Sequence, residues 1–369
     1  VKVYVYPADT AGCGYYRLIW PGLKLQRDGH DVKLVHPDQN QKVTGGKNAA
    51  GELVQVTAPS DADVMVFQRV SSATIVDAIK ILRKAGVAVV VDIDDDLHAI
   101  HGQHPAFHIL NPNTGGRVAE YNWEHAKRAC EAASFVTVST PALLPRYAPH
   151  GRGAVIYNCV PEVYHRISQP KDVPHTIGWP ASLHSHPDDP FVCGPAMGRV
   201  QRAGHRFKII GTPRGTKEAF QLDSDPVAPG PIPIGRYPHE VSKLSVGIAP
   251  LADTRFNSGK SWLKPLELAS LGVPVIASPR VEYRRLHALG VGLLADSPRV
   301  WYRHAVELMT NEARRVELAE AAKAAVRHLT IEANAWRWWE AWTRALEVER
   351  GPRKTWDVES AVGSVPDLT

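Results

Sequence analysis

The sequence predicts an α/β protein of two domains, each a parallel sheet covered by helices. Three observations predict it. The chain has 369 residues, and a compact domain holds about 100–200. Short apolar runs alternate with helical patterns through the first half, and the same alternation restarts at Thr176. Between the two series Pro161, Pro170 and Pro174 punctuate a polar stretch that reads as a linker. The expected division is 1–160, 161–328, a C-terminal helix over 329–350 and a tail over 351–369.

In chain order, the first strands are Val1–Tyr6, Asp31–His36, Asp63–Gln68, Val87–Asp92, Phe135–Val138 and Ala154–Tyr157. Runs that are apolar throughout, rather than alternating, mark strands buried on both faces. Helical patterns fit Tyr15–Arg27, Ala73–Lys84 and Ala119–Ala132. Thr44–Val56, with its Gly-Gly and Asn-Ala-Ala-Gly, reads as a small hairpin or a mobile loop. The second strands are Thr176–Trp179, Phe207–Ile210, Ile232–Gly235, Val246–Ala249, Val273–Ala277 and Gly292–Leu294. Helices fit Phe191–Arg202, His239–Lys243, Ser261–Leu271, Tyr283–Ala288 and Pro298–Leu308. Two further helices, Glu312–Arg327 and Ile331–Arg350, end the pattern. The last carries Trp336, Trp338, Trp339 and Trp342 and is expected to pack back onto the first domain.

Composition narrows the function. No apolar run approaches the ~20 residues of a membrane span. The opening VKVYVYP is too quickly interrupted for a secretory signal, so a cytoplasmic enzyme is expected. Cys13, Cys130, Cys159 and Cys193 lie far apart, which argues against a disulfide framework or a zinc site. A net charge of +5 suits small anionic ligands and does not alone point to nucleic acid.

The segment most informative about chemistry is Phe256–Ser278, FNSGKSWLKPLELASLGVPVIAS. Ser258 caps a helix expected to start near Gly259. Lys260, Lys264 and Glu267 then stand at i, i+4 and i+7, on one face. Free N–H groups and the positive end of the helix dipole, with two ammonium groups and Ser261 beside them, make a site for a diphosphate. A carboxylate one turn on accepts hydrogen bonds from both ribose hydroxyls. The competing explanation is a solvated Lys/Glu face with ordinary helix ion pairs.

This run resembles the donor-binding helix of retaining GT-B glycosyltransferases, especially glycosyltransferase family 4 and its bacterial and phage relatives. In that family the Glu before a small-residue turn and Gly-x-Pro-Val-Ile-Ala binds the nucleotide ribose. It matches Glu267, followed by Gly272, Pro274, Val275, Ile276 and Ala277. A second family Glu, which contacts the sugar, falls at Gly259 here, with Asn257 or Asp253 as candidate substitutes. The resemblance implies two Rossmann-like domains facing a cleft, a nucleotide-sugar donor (UDP- or GDP-linked) in the second, and no metal or other cofactor. Element order extends it over most of the chain, and strong motif support spans residues 246–278.

Other candidates come from both halves. Ala11-Gly12-Cys13-Gly14 follows the first strand, and Gly12 and Gly14 would let a backbone approach a ligand at a helix start. The alternative is a simple tight turn. Arg17 stands where a dinucleotide fingerprint would place its third Gly, and would reach an anionic group. VVVDIDDDL ends a strand in Asp92, Asp94, Asp95 and Asp96; acceptor positioning or structural capping is favoured over metal binding. Like charges this close would raise one carboxyl and make a general base, with Asp94 and Asp95 the candidates. His98, His101, His104 and His108 follow in a loop broken by Gly102 and Pro105, and His101 is the candidate for substrate contact. In the second half, Gly178–Ser182 is expected to face the phosphates, where the family's Arg…Lys pair is replaced by His184-Ser185-His186. Arg214 is a candidate nucleotide contact, and Ile234-Gly235-Arg236-Tyr237 fits the segment that cradles the base.

The function expected is transfer of a hexose or pentose from a nucleotide sugar to a hydroxyl acceptor, retaining and metal-independent. The acceptor is a small molecule, a glycan, a protein or a hydroxymethylated DNA base. A non-catalytic nucleotide-binding module is the alternative, motivated by Gly259.

Overall fold

The structure, a computed structural model, describes residues 1–36, 45–51, 53–100, 119–170 and 174–350. The chain forms two compact units. Among the described residues, the first takes in those from Val1 to Ile100, 119–158 and 331–350; the second spans Cys159 to Thr330.

The first unit holds six parallel strands in the order β2-β1-β3-β4-β5-β6. They are β1 Lys2–Tyr6, β2 Asp31–Leu34, β3 Val64–Gln68, β4 Ala88–Ile93, β5 Phe135–Val138 and β6 Gly153–Val155. The central strands β3 and β4 are buried along their whole length, as their unbroken apolar runs require. Side chains alternate between the faces. Met65, Phe67, Val89 and Val91 pack with Val76, Ile79, Leu82 and Ala129 from the helices Ala73–Lys84 and Ala119–Ala132. Val64, Val66, Ala88 and Val90 pack with Trp338, Ala341, Trp342 and Ala345 of the helix Trp336–Arg350. The C-terminal helix therefore completes the first unit's core. Trp338 and Trp342 are fully buried, and Trp338 Nε1 donates to the Arg17 carbonyl at 2.5 Å. Burial at about 25 cal/mol per Å² of apolar surface makes two such indoles worth several kcal/mol.

The second unit holds five parallel strands in the order β11-β10-β9-β7-β8. They are β7 Thr176–Trp179, β8 Arg206–Ile209, β9 Val246–Ala249, β10 Val275–Ala277 and β11 Leu293–Leu294. Ile177, Ile248 and Ile276 of the central strands pack with Trp301, Ala305 and Leu308 of the helix Pro298–Thr310.

Four expectations are corrected in detail. Ile232–Gly235 is not a strand but a turn, because Pro231 and Pro233 remove the donors a ladder needs. Phe191–Arg202 breaks at Gly194, with φ 50°, and Pro195, leaving a 3-10 turn Asp189–Cys193 and a helix Ala196–Arg202. The helix placed at Gly259 starts at Leu263; Asn257–Gly259 is a separate 3-10 turn, and Lys260 is extended at φ −67°, ψ 136°. Pro265 falls in that helix's first turn, where a missing N–H costs nothing. The last helical pattern divides into Ile331–Asn334 and Trp336–Arg350. In the Thr44–Val56 region Thr44 lies outside the described residues, and Lys47 pairs antiparallel with Leu53, as a hairpin would.

Candidate functional site

Ligands of parallel sheets collect beyond the carboxyl ends of the strands. In the second unit those ends carry the loops after β7, β8, β9 and β10, and side chains tie the loops together. Lys264, second residue of the helix Leu263–Ser270, donates from Nζ to the Pro180 carbonyl after β7 at 3.0 Å. Ser182 Oγ accepts from the Thr212 amide after β8 at 2.8 Å. Gly211 is needed at this crossing, since a Cβ there would lie 2.6 Å from the Ala181 carbonyl oxygen. Asp189 takes the Ala252 amide at 2.9 Å and Asn257 Nδ2 at 2.7 Å through one oxygen, and His186 Nδ1 at 2.7 Å through the other.

Glu267 is buried, 4% exposed, and accepts from the Tyr237 hydroxyl at 3.1 Å. Burial, then the Glu267 charge, raise the Tyr237 phenol well above its ordinary range. Lys260 stands 4.5 Å over the Phe256 ring, next to half-buried Ser261. Burial pushes the His186 imidazole down to about 4, against the pull of Asp189, and the charges of Lys264 and Lys260 push the same way. Burial opposes ionisation of Asp189, yet its bonds from His186, Ala252 and Asn257 hold the carboxyl below the usual range.

The structure thus brings Asn257, Lys260, Ser261, Lys264 and Glu267 into one unit with His186. Arg214 lies exposed in the loop after β8. Asp189 was not singled out from sequence. Its only signal is a position three residues after His186, and its partners Ala252 and Asn257 are 63 and 68 residues away.

The first unit gathers its own cluster at the carboxyl end of β4. Arg17 is fully buried, and this corrects its expected role. Its guanidinium grips Asp92 with two bonds, 3.1 and 2.7 Å, and donates to the Ile156 carbonyl and to Asn158. A side chain with no accessible surface does not reach out to an anion. Arg69, at φ 51° just after β3, donates to both oxygens of Asp94 at 2.5 and 2.8 Å and to Asp95 at 3.1 Å. Burial opposes ionisation of Asp94, but the charge and hydrogen bonds of Arg69 and the field of Arg17 hold its carboxyl below the ordinary value. The expected raised carboxyl is therefore absent at Asp94. Asp96 accepts from Arg146 at 2.6 Å and from Tyr147 at 3.2 Å. Among the described residues no group of three or more His, Cys, Asp or Glu is placed to hold a metal.

The glycine loop is built by Asp9, whose Oδ1 accepts from the Ala11 and Gly14 amides at 2.9 Å each. A Cβ on Gly14 would lie 1.9 Å from the Asp9 carbonyl oxygen, so this position admits only glycine, whereas Gly12 faces open space. Exposed His98 sits in a 3-10 turn. His101, His104 and His108 lie outside the described residues.

No protein-family model matches the sequence, and no curated protein matches it. Solved structures do. Anabaena Alr3699/HepE in complex with UDP and glucose matches with TM-score 0.60 at 14% identity, over 93% of this chain and 99% of that one. An alpha-glucosyltransferase in complex with UDP-glucose and DNA containing an abasic site matches with TM-score 0.53 at 14% identity, over 93% and 99%. The fold is GT-B. A proposed UDP-N-acetylglucosamine 2-epimerase from Listeria monocytogenes also matches, with TM-score 0.54 at 13% identity over 97% and 99%. GT-B structures at such identities share architecture, and the reaction has to be argued from the site. Among the described residues no helix is long and apolar enough to cross a membrane.

Proposed function

We propose that the protein is a glycosyltransferase whose second unit binds the nucleoside diphosphate of a nucleotide sugar, UDP-linked in the first instance and GDP-linked otherwise. The observation that carries this is the placement of Glu267, Lys264 and Lys260 at the carboxyl ends of one parallel sheet, with Glu267 held by Tyr237. In this reading Glu267 accepts the ribose hydroxyls. Lys260, Ser261, Lys264 and the first turn of the helix Leu263–Ser270 face the phosphates. Arg214 and the segment ending in Tyr237 border the nucleoside, and Asn257 lies toward the sugar.

As the glycosidic bond breaks, negative charge develops on the leaving β-phosphate. Fixed cations and helix N–H groups stabilise that charge without reorganising, which is the main source of rate available to such a site. Gly12 and Gly14, in the loop after β1 of the first unit, are further candidates for donor contact. Asp94, whose carboxyl Arg69 holds below the ordinary value, accepts a hydrogen bond from an acceptor hydroxyl better than it abstracts its proton, and Asp95 stands beside it on the same arginine. His101 remains the nominated imidazole. Turnover is expected to survive EDTA; loss restored by Mn²⁺ or Mg²⁺ would reassign the aspartates to metal.

Glu267→Ala is expected to cost about 1.5–3 kcal/mol of UDP affinity, the range for hydrogen bonds to a charged group. Unchanged affinity in a folded variant would overturn the assignment. A second reading, donor binding without transfer, is favoured by the locked state of Asp94 and by Gly259 at the family's acidic position. Release of UDP from UDP-glucose, followed with and without candidate acceptors including hydroxymethylated DNA, separates the two.

A further inference from the structure

His186 is a titratable group of the second unit held by a carboxylate that is itself fixed. It lies in the loop after β7, a few residues beyond Pro180, whose carbonyl receives Lys264. Its Nδ1 is 2.7 Å from Asp189 Oδ2. Asp189 is itself fixed through its other oxygen by the Ala252 amide and Asn257. An ionised carboxylate only accepts, so Nδ1 carries the ring proton and the lone pair of the neutral imidazole sits on Nε2. The ring meets Trp179 edge-on with centroids 6.1 Å apart, and the side chain keeps 13% of its surface.

The charged groups acting on the ring are Asp189, which favours the cation, and Lys264 and Lys260, which oppose it along with burial. In the free protein the ring is therefore neutral near pH 7. A neutral Nε2 presents its lone pair to any phosphate oxygen, which is repulsive. A protonated Nε2 donates a charge-assisted hydrogen bond. An arriving diphosphate brings the negative charge that offsets the two lysines, and so reverses the balance against the cation.

We propose that His186, aimed by Asp189, is a direct ligand of the donor diphosphate and binds it as the imidazolium, taking one proton from solvent onto Nε2 as the diphosphate arrives. The site then holds two fixed cations and one that forms only with the ligand in place. When the diphosphate departs the proton returns to solvent. The expected consequence is that nucleotide affinity strengthens as pH falls from 8 toward 6, over and above the titration of the nucleotide itself.

This inference rests on the donor-site reading, and the experiment keeps the two apart. UDP, and GDP alongside it, are titrated calorimetrically into the wild-type protein and His186→Gln at pH 6, 7 and 8, each in two buffers of different ionisation heat. Uridine is the control without phosphate. The wild type should take up more protons with UDP than His186→Gln does, and take up none with uridine. His186→Gln should weaken UDP roughly 10-fold or more at pH 6 and much less at pH 8. His186→Lys, a fixed cation, should retain binding with the pH dependence of the protein removed. Equal proton uptake in wild type and both variants would overturn the His186 assignment while leaving the donor site standing. Wild-type protein that binds neither UDP nor GDP would overturn the donor site and this inference together.

Discussion

The two units hold the buried carboxylates at or beyond the ends of their central strands in opposite ways. In the first, each of three buried carboxylates has its own arginine: Asp92 with Arg17, Asp94 with Arg69, Asp96 with Arg146. In the second, buried Asp189 is held by neutral donors, an amide N–H, an asparagine and an imidazole that is neutral near pH 7. Arginine–carboxylate pairs fix geometry and cancel charge. Neutral donors fix geometry while leaving the neighbouring lysine field to act on whatever enters. The difference teaches that an acidic run at a strand end is not by itself a reactive site. The first cluster is a braced scaffold, and the second is the one proposed to take an anion.

The largest expected effect comes from removing the brace of the first unit. A chain ending before Ile331 loses Trp338, Ala341, Trp342 and Ala345 from the core over β3 and β4. It should fail to give a folded first unit, seen as loss of the cooperative melt or of soluble protein. A truncated chain melting like the full one would show that this sheet face is stable uncovered.

Next comes the Arg17–Asp92 pair. Arg17→Met keeps most of the side-chain volume but strands a buried carboxylate with Thr137 as its remaining side-chain donor among these bonds. Breaking a buried pair from one side costs about 3–5 kcal/mol, whereas replacing both partners with apolar residues is much milder. Denaturant melts of Arg17→Met and Arg17→Met/Asp92→Leu measure the contrast. If both lose little, the cluster is not a brace and the comparison between the units collapses.

The braced cluster also has an acid signature. The Asp94 carboxyl is held below its unfolded value, so the stability it contributes is present above about pH 4 and is lost as pH falls through the folded value. Asp94→Asn should therefore narrow the gap to wild type on going from pH 6 to pH 3. A constant gap across that range would show that ionised Asp94 adds nothing to the fold.

How much of this was legible follows the range of the interactions. β3, β4, β5, β7 and β9 were readable because a strand buried on both faces needs an unbroken apolar run. Ile232–Gly235 misled because isoleucines outweighed the two prolines around them. The Lys264–Glu267 spacing was readable as a local helix face, though the helix begins four residues later than a Ser258 cap implied. Arg17 and Asp189 were not readable. Arg17 looks like a ligand-binding arginine until Asp92, 75 residues on, is seen beside it. Asp189 acquires meaning only from Ala252 and Asn257. Pairings set by the sheet topology leave no local pattern in the chain.

The smallest effect is the sharpest probe of the second unit. Tyr237→Phe deletes only the hydroxyl that donates to Glu267 at 3.1 Å, and leaves the ring. If Glu267 serves the ribose, Tyr237 is a positioning residue. Its loss leaves the carboxylate less fixed, and part of the ribose interaction must then be spent on ordering it. UDP affinity should fall by about 0.5–1.5 kcal/mol, the net value of one hydrogen bond. Tyr237→Phe added to Glu267→Ala should cost almost nothing further, because its only route to the ligand is through that carboxylate. Two additive losses would mean that the Tyr237 hydroxyl contacts the nucleotide directly. A loss in thermal stability with no change in UDP affinity would make the pair part of the fold, and would leave the lysines and His186 as the only groups marking the second unit as the anion-binding one.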